Sequence, residues 1–163
     1  MKLVNSDPIH LIWKITPALA LGAIFFSMAL SAREAPGVPS QENQLSAVGS
    51  LRSINTAEAY YAKEYGKGFS PSLAALGVPA DGTKVSAKAA GLLNNFLTAG
   101  TKNNFVFKYS AGAQDADKNI STYTVIAQPV TWGKGVKSFF TDQKGVIRGT
   151  DQNRPPTASD PAL

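Results

Sequence analysis

The sequence predicts an α+β fold, in which an amphipathic helix packs on one face of an antiparallel sheet of three or four strands. Apolar residues recur at spacings of three and four between residues 45 and 65, which is the pattern of a helix with one buried face. After Gly100 the apolar period changes to two, which is typical of strands. Short segments containing glycine and aspartate separate these strands, so neighbouring strands are expected to run antiparallel.

The first element is an apolar segment from Ile9 to Ala32, in which Lys14 is the only charged residue. A helix of about 20 residues spans a hydrocarbon core of about 30 Å, so this segment predicts a membrane anchor. Trp13 and Lys14 suit the inner interface, where an indole ring lies at headgroup level and a lysine reaches back to water. The anchor residues are Trp13, Lys14, Pro17, Leu19, Leu21, Ile24, Phe25, Phe26 and Leu30.

Pro17 leaves two interpretations of this segment open, because it either kinks the helix or marks its start. A start after Thr16 shortens the apolar run, which then resembles a signal peptide cleaved near Ala32. The late beginning of the apolar run, with Lys14 inside it, favours a retained anchor. Lys2 and Lys14 precede the uncharged run, so the positive-inside rule predicts a cytoplasmic N-terminus. The expected location is therefore the inner membrane, crossed once, with the following domain periplasmic or extracellular.

Proline and glycine divide the rest of the chain. Residues 35–44 include Pro36, Gly37 and Pro39, which cannot continue a helix, and we interpret them as a hinge. The predicted organisation is a cytoplasmic stub and anchor helix at 1–34, the hinge at 35–44, a globular domain at 45–150 and a flexible C-terminal tail at 151–163. The tail is assigned as flexible because it has three prolines and little apolar surface.

The globular domain begins with the amphipathic helix. Ser40 or Asn43 can cap its start, and Gly66 and Gly68 end it. The residues predicted to form the core between this helix and the sheet are Leu45, Val48, Leu51, Ile54 and Tyr61.

Two helical segments and four strands are expected after this helix. A short helical turn is predicted at Pro71 to Leu76, and a longer helix near Ser86 to Thr98. Leu92, Leu93, Phe96 and Leu97 of that helix are expected to pack inward. The strands are predicted around Phe105 to Tyr109, around Tyr123 to Ala127, from Thr131 to Phe140 and from Val146 to Arg148. A turn at Asp142 to Gly145 joins the last two, with Gly145 available for positive φ.

Charge and composition limit the possible partners. The formal net charge is +5, which suits an anionic partner such as nucleic acid or polysaccharide. No two basic residues are adjacent, so a generally basic, solvated surface is favoured over a dedicated phosphate groove. The absence of cysteine removes disulfide and thiolate chemistry.

The sequence contains no recognisable catalytic or metal-binding pattern. His10, the only histidine, has no acid or nucleophile near it in sequence, so an interfacial role is favoured over base catalysis. Asp115 and Asp117 are too few for a calcium site, which takes six to eight oxygens, and a solvated turn is favoured. Asp142 is expected to bond within its own turn. We therefore expect a protein that is not an enzyme, with no cofactor, no metal and no small-molecule substrate.

One loop residue is a candidate contact. Trp132 follows Pro129 and precedes Gly133-Lys134-Gly135, which lacks the phosphate-loop pattern and is interpreted as a turn. A tryptophan in an exposed loop suits a binding surface, although filling of the core is favoured slightly.

Two segments carry a resemblance to a known family. The first is Ser46-Ala-Val-Gly-Ser-Leu-Arg-Ser-Ile-Asn-Thr-Ala-Glu58, and the second is Phe139-Phe-Thr-Asp-Gln-Lys-Gly-Val-Ile-Arg148. Together with the order of helix, variable region and antiparallel strands, they resemble the type IV pilins and pseudopilins over roughly the last three quarters of the chain. The resemblance implies an exported, membrane-anchored subunit that binds other pilins or inner-membrane secretion-platform proteins and does not catalyse a reaction.

The N-terminal residues depart from that family. Its leader ends in glycine, is cut before Phe or Met and continues Thr-Leu-x-Glu, whereas no glutamate precedes Glu34 here and the hinge interrupts the long helix. These departures imply a minor or non-assembling subunit of a pilus or type II secretion-type system. The alternative is a membrane-tethered periplasmic module that binds an anionic polymer or an envelope protein and has left the filament.

Overall fold

The computed structural model describes residues 37–81 and 83–163, which form one long helix packed on an antiparallel sheet. Helix α1 spans Gln41–Tyr65. The five strands are β1 Thr101–Lys102, β2 Phe105–Ala111, β3 Tyr123–Pro129, β4 Ser138–Asp142 and β5 Arg148–Thr150. They lie side by side in chain order, and every neighbouring pair is antiparallel. The predicted α+β class is confirmed, and the sheet in the described residues has five strands where three or four were expected.

The predicted membrane anchor, Trp13 to Leu30, lies outside the described residues and stays a prediction. Within residues 37–81 and 83–163, the structure has no helix with the length and apolar character needed to cross a bilayer.

The ends of α1 follow from its capping residues. The Ser40 hydroxyl accepts a hydrogen bond from the Asn43 backbone N–H at 3.2 Å, so Ser40 rather than Asn43 is the N-cap. Gly66 ends the helix at φ 63°, in the left-handed region that glycine adopts without a steric penalty. The helix begins at Gln41, so the last residues of the predicted hinge belong to α1.

The buried face of α1 agrees with the predicted core at four of five positions. Leu51 and Ile54 are fully buried, and Val48 and Tyr61 are buried beside them. Leu45 is 65% exposed, so its assignment to the core was wrong. Each step of three residues falls about 60° short of a full helical turn, so two such steps from Leu51 back to Leu45 rotate the side chain off the buried face.

The segment between α1 and the sheet is less helical than predicted. The expected turn is present as a 3-10 helix at Leu73–Leu76, but the expected helix at Ser86 to Thr98 is reduced to α2, Asn95–Thr98. Gly91 has φ 70°, which interrupts a right-handed helix, and the Asn94 side chain caps α2 instead. Leu93 and Leu97 are buried as expected, whereas Phe96 is 78% exposed, contrary to its predicted inward packing.

The third and fourth predicted strands correspond to β4 and β5, and both begin later than predicted. Strand β4 starts at Ser138 because Gly133 to Gly135 form a turn ahead of it, and β5 starts at Arg148. The turn between these strands is as expected. Gly145 has φ 72°, and the Lys144 backbone N–H donates to Asp142 Oδ1 at 2.9 Å.

The C-terminal residues, predicted to be a flexible tail, instead lie along the free edge of β5. The Gly149 N–H donates to the Pro161 carbonyl, and the Leu163 N–H donates to the Ile147 carbonyl, both at 3.0 Å. Asp160 is buried and forms an ion pair with Arg154. This arrangement differs from the expectation because main-chain hydrogen bonds and an ion pair, rather than apolar side chains, hold the segment.

Candidate functional site

Asn55 is the polar residue through which α1 meets the β4–β5 turn. Its Nδ2 donates to Thr141 Oγ1 at 2.9 Å and to the Gly145 carbonyl at 3.2 Å. Its Oδ1 accepts from the Tyr123 hydroxyl at 2.9 Å. One side chain therefore joins the helix, the central strand β3, strand β4 and the turn between β4 and β5.

A second polar cluster fixes the chain that follows α1. Glu58 is fully buried, and its carboxylate accepts from the backbone N–H of Ser70 at 2.8 Å and from the Ser70 hydroxyl. The Tyr109 hydroxyl of β2 donates to the Ser70 carbonyl at 2.8 Å. Because these donors satisfy the carboxylate, the cluster holds the loop and β2 against the helix.

Burial raises the pKa of two tyrosines around Glu58. Desolvation is the main cause at Tyr109 and at Tyr123, and the negative charge of Glu58 raises both pKa values further. Both hydroxyls therefore stay protonated and act as hydrogen-bond donors. In the described part of the chain, no buried side-chain nitrogen or oxygen lacks a partner, so both clusters stabilise the fold.

The acidic loop between β2 and β3 is a closed turn. Asp115 accepts hydrogen bonds from the backbone N–H groups of Asp117 and Asn119 and from the Asn119 side chain. The bonds from Asn119 hold the pKa of Asp115 below its ordinary value. No group of three or more metal-ligating side chains occurs in residues 37–81 and 83–163. The geometry fits the solvated turn expected from the sequence.

Trp132 lies half-buried in the loop between β3 and β4. The following Gly133 lies against Val38, since a Cβ placed on Gly133 would come within 2.4 Å of Val38 Cγ1. The loop is thus held near the start of α1, and Trp132 presents only part of its surface for contact.

A groove of about 490 Å³ runs beside the first turns of α1. The helix contributes Leu45, Val48 and Arg52 to it, and the opposite side includes Lys137, Phe139 and Leu163. Leu45 and Leu163 are 65% and 58% exposed, so the groove has an open, apolar rim with two basic side chains.

A second hollow of about 490 Å³ adjoins the turn between β1 and β2. Phe96 and Val130 contribute to its lining, together with Asn103 and Asn104. Asn103 Nδ2 donates to Ser46 Oγ at 2.9 Å, which ties this turn to the first turns of α1.

The backbone N–H of Lys137 donates to Gln44 Oε1 at 3.0 Å, so the β3–β4 loop approaches the same part of the helix. Exposed apolar side chains therefore line two hollows that adjoin the first turns of α1. We call this set the α1-start surface, and it comprises Val38, Leu45, Phe96, Val130 and Leu163.

Sequence reasoning missed most of the α1-start surface. Leu45 and Phe96 were assigned to the core, and Leu163 to a flexible tail. The exposure of Leu45 could have been predicted from its position on the helix, which is rotated away from the buried face that contains Leu51. The contribution of Leu163 depends on tertiary pairing with Ile147, for which the local sequence has no pattern.

In comparisons with known proteins, no family model, no curated protein and no solved structure matches this chain. The fold defines the class as an α+β domain in which a helix packs on an antiparallel meander. A fold alone does not determine a function, which depends on the residues of the site.

Proposed function

We propose that this protein is a membrane-anchored, pilin-like subunit of a type IV pilus or type II secretion-type system, with a minor or non-assembling role. The observation that carries the proposal is the contact of Asn55 with Thr141 and Gly145. Asn55 belongs to the first segment that resembles pilins, and Thr141 and Gly145 belong to the second. Two segments that suggested the same family by sequence therefore form one contact in space.

The architecture supports the same proposal. A helix of 25 residues crosses a meander sheet whose last turn is bonded back to the helix. The apolar run that precedes the helix in sequence, Ile15 to Leu30, carries no charge and has the composition of an anchor. Exposed apolar side chains lie near the start of α1, which suits binding of a partner.

A second candidate function is binding of an anionic polymer by the tethered domain. Arg154 and Asp160 form the one ion pair among residues 37–81 and 83–163, so no other basic side chain there has an acidic partner within 4.0 Å among those residues. Such a surface favours association with polyanions, and this association weakens as salt rises.

Photo-crosslinking in native membranes tests the first proposal. A photoreactive residue replaces Tyr60, which is 54% exposed on α1, and a matched probe replaces the half-buried Trp132. We expect the captured proteins to be pilins or inner-membrane platform proteins. The control is the same variant in cells that lack those proteins, where these crosslinked bands should disappear.

The opposite result is also specific. If neither probe captures a pilin or platform protein, while the protein is retained on an anionic polymer at low salt and released at high salt, the binding-module function replaces the first proposal.

A further inference from the structure

The five exposed apolar side chains of the α1-start surface lie near one end of α1. Leu45 and Leu163 line one groove, Phe96 and Val130 line a second hollow, and Val38 lies against Gly133 of the β3–β4 loop. Apolar side chains scattered singly on a surface need no explanation, but a group of them marks a contact. Within the described residues, nothing covers this group.

The position of this surface along the chain indicates what covers it. The α1-start surface lies at the N-terminal end of α1, and the uncharged run from Ile15 to Leu30 precedes this helix in sequence. The residues from 31 to 40 join that run to α1, and a fully extended chain spans at most about 3.5 Å per residue. If the run lies in a bilayer, the start of α1 is tethered within about 35 Å of it.

The charges beside the surface favour an anionic bilayer. Arg52 and Lys137 line the groove with Leu45, and Lys134 is exposed in the adjacent turn. The first turn of α1 contains one acidic residue, Glu42. Apolar side chains bordered by basic ones are the composition that binds at a headgroup interface containing anionic lipids.

We infer that the α1-start surface docks the domain onto the anionic headgroup interface of the membrane that holds the anchor. Leu45 and Leu163 enter the interface, and Arg52 and Lys137 contact lipid phosphates. The docking fixes which end of the domain faces the bilayer and leaves Tyr60 and the loop near Val85 available to protein partners. This inference rests on the membrane-anchor part of the proposed function and not on the identity of the partners.

Site-directed spin labelling tests the docking, because the chain has no native cysteine. Leu45→Cys places a label on the surface, and Val85→Cys is a matched control, since the two native side chains are 65% and 64% exposed. Val85 precedes the loop whose Ala87 carbonyl accepts from the Tyr61 hydroxyl, on the distant half of α1. The full chain is reconstituted into vesicles of phosphatidylcholine with phosphatidylglycerol, and label accessibility to oxygen and to a polar nickel chelate is measured.

We expect the label at 45 to gain oxygen accessibility and lose nickel accessibility severalfold relative to the label at 85. In vesicles of phosphatidylcholine alone, or with the added changes Arg52→Gln and Lys137→Gln, the label at 45 should approach the control.

Three outcomes would overturn the inference. Equal, aqueous accessibility at both positions in protein that resists an alkaline wash refutes docking alone and leaves the anchor intact. Spin–spin broadening at position 45 identifies a second copy as the occupant of the surface. Release of the protein by the alkaline wash refutes the anchor, and with it both the docking and the membrane part of the proposed function.

Discussion

Asn55 of α1 and Thr141 of β4, 86 positions apart in the chain, are joined by a hydrogen bond of 2.9 Å between Nδ2 and Oγ1. The same amide bonds to the Gly145 carbonyl and to the Tyr123 hydroxyl. A polar side chain on a packing helix carries a desolvation cost unless its partners are in place. The contact therefore links correct packing of α1 to correct formation of the last turn of the sheet.

Replacing Asn55 with alanine should lower the free energy of unfolding by about 1 to 3 kcal/mol, because partly buried partners lose their hydrogen bonds. Urea unfolding monitored by circular dichroism measures the change. Thr56→Ala is the control, since the exposed Thr56 hydroxyl bonds only to the Arg52 carbonyl of its own helix. Equal destabilisation by the two substitutions would contradict a special role for Asn55.

Glu58→Gln should also destabilise the fold, by about 1 to 3 kcal/mol. The carboxylate accepts from both the backbone N–H and the hydroxyl of Ser70, and an amide presents one acceptor and one donor to these two groups. Glu64→Gln, at an exposed position of the same helix, should leave the urea midpoint nearly unchanged. A Glu58→Gln variant with an unchanged urea midpoint would show that the carboxylate is not needed to hold Ser70.

The C-terminal segment should lose stability in acid. The hydrogen bonds from Arg154 and from the Thr157 backbone lower the pKa of Asp160 from 3.8 to about 2. A carboxylate with a lowered folded-state pKa stabilises the folded state above its unfolded pKa, and this contribution is lost as pH falls from about 4 to about 2.

Amide exchange at Gly149 and Leu163, measured across that range, should accelerate as pH falls, after correction for the intrinsic pH dependence of exchange. Asp160→Asn should remove this change, and Asp151→Asn, at an exposed position, should retain it. Unchanged corrected protection down to pH 2 in the native protein would show that the ion pair does not hold the segment.

Two glycine-to-alanine changes should shift stability in opposite directions. Gly68 has φ 76°, and a Cβ there would lie 2.1 Å from the Ile120 carbonyl oxygen, so Gly68→Ala should cost at least about 1 to 2 kcal/mol. Gly49 lies within α1 with nothing within 4 Å of its added Cβ, so Gly49→Ala should stabilise by about 1 kcal/mol. Thermal unfolding of both variants measures the difference, and a change of the same sign in both would contradict the geometry.

Periodicity predicted the elements that are long enough to repeat. The stripe through Leu51 and Ile54 predicted α1, and alternation predicted the positions of β2 and β3. Strand β1 has two residues, Thr101 and Lys102, and no period exists over two residues. It forms because the turn at Asn103 and Asn104, both at positive φ, folds it back onto β2.

Contacts between distant residues limited the prediction of the candidate site. The Asp142 bond within its own turn, which spans two positions, was predicted. The N-cap was narrowed to Ser40 or Asn43, and the bond from the Asn43 N–H to the Ser40 hydroxyl assigns it to Ser40. The groove combines α1 with Lys137 and the C-terminal Leu163, which tertiary pairing brings together. The apolar rim at Leu45 was not predicted, because every leucine of the helical stripe was assigned to the core.

The central claim is that this domain is held at a membrane by an uncleaved N-terminal segment, and the intact mass and N-terminal residue of the protein recovered from membranes test it most directly. We expect a chain in the membrane fraction that retains the segment, beginning at or near Met1. A soluble chain that begins near Ala32 would contradict the anchor and indicate secretion.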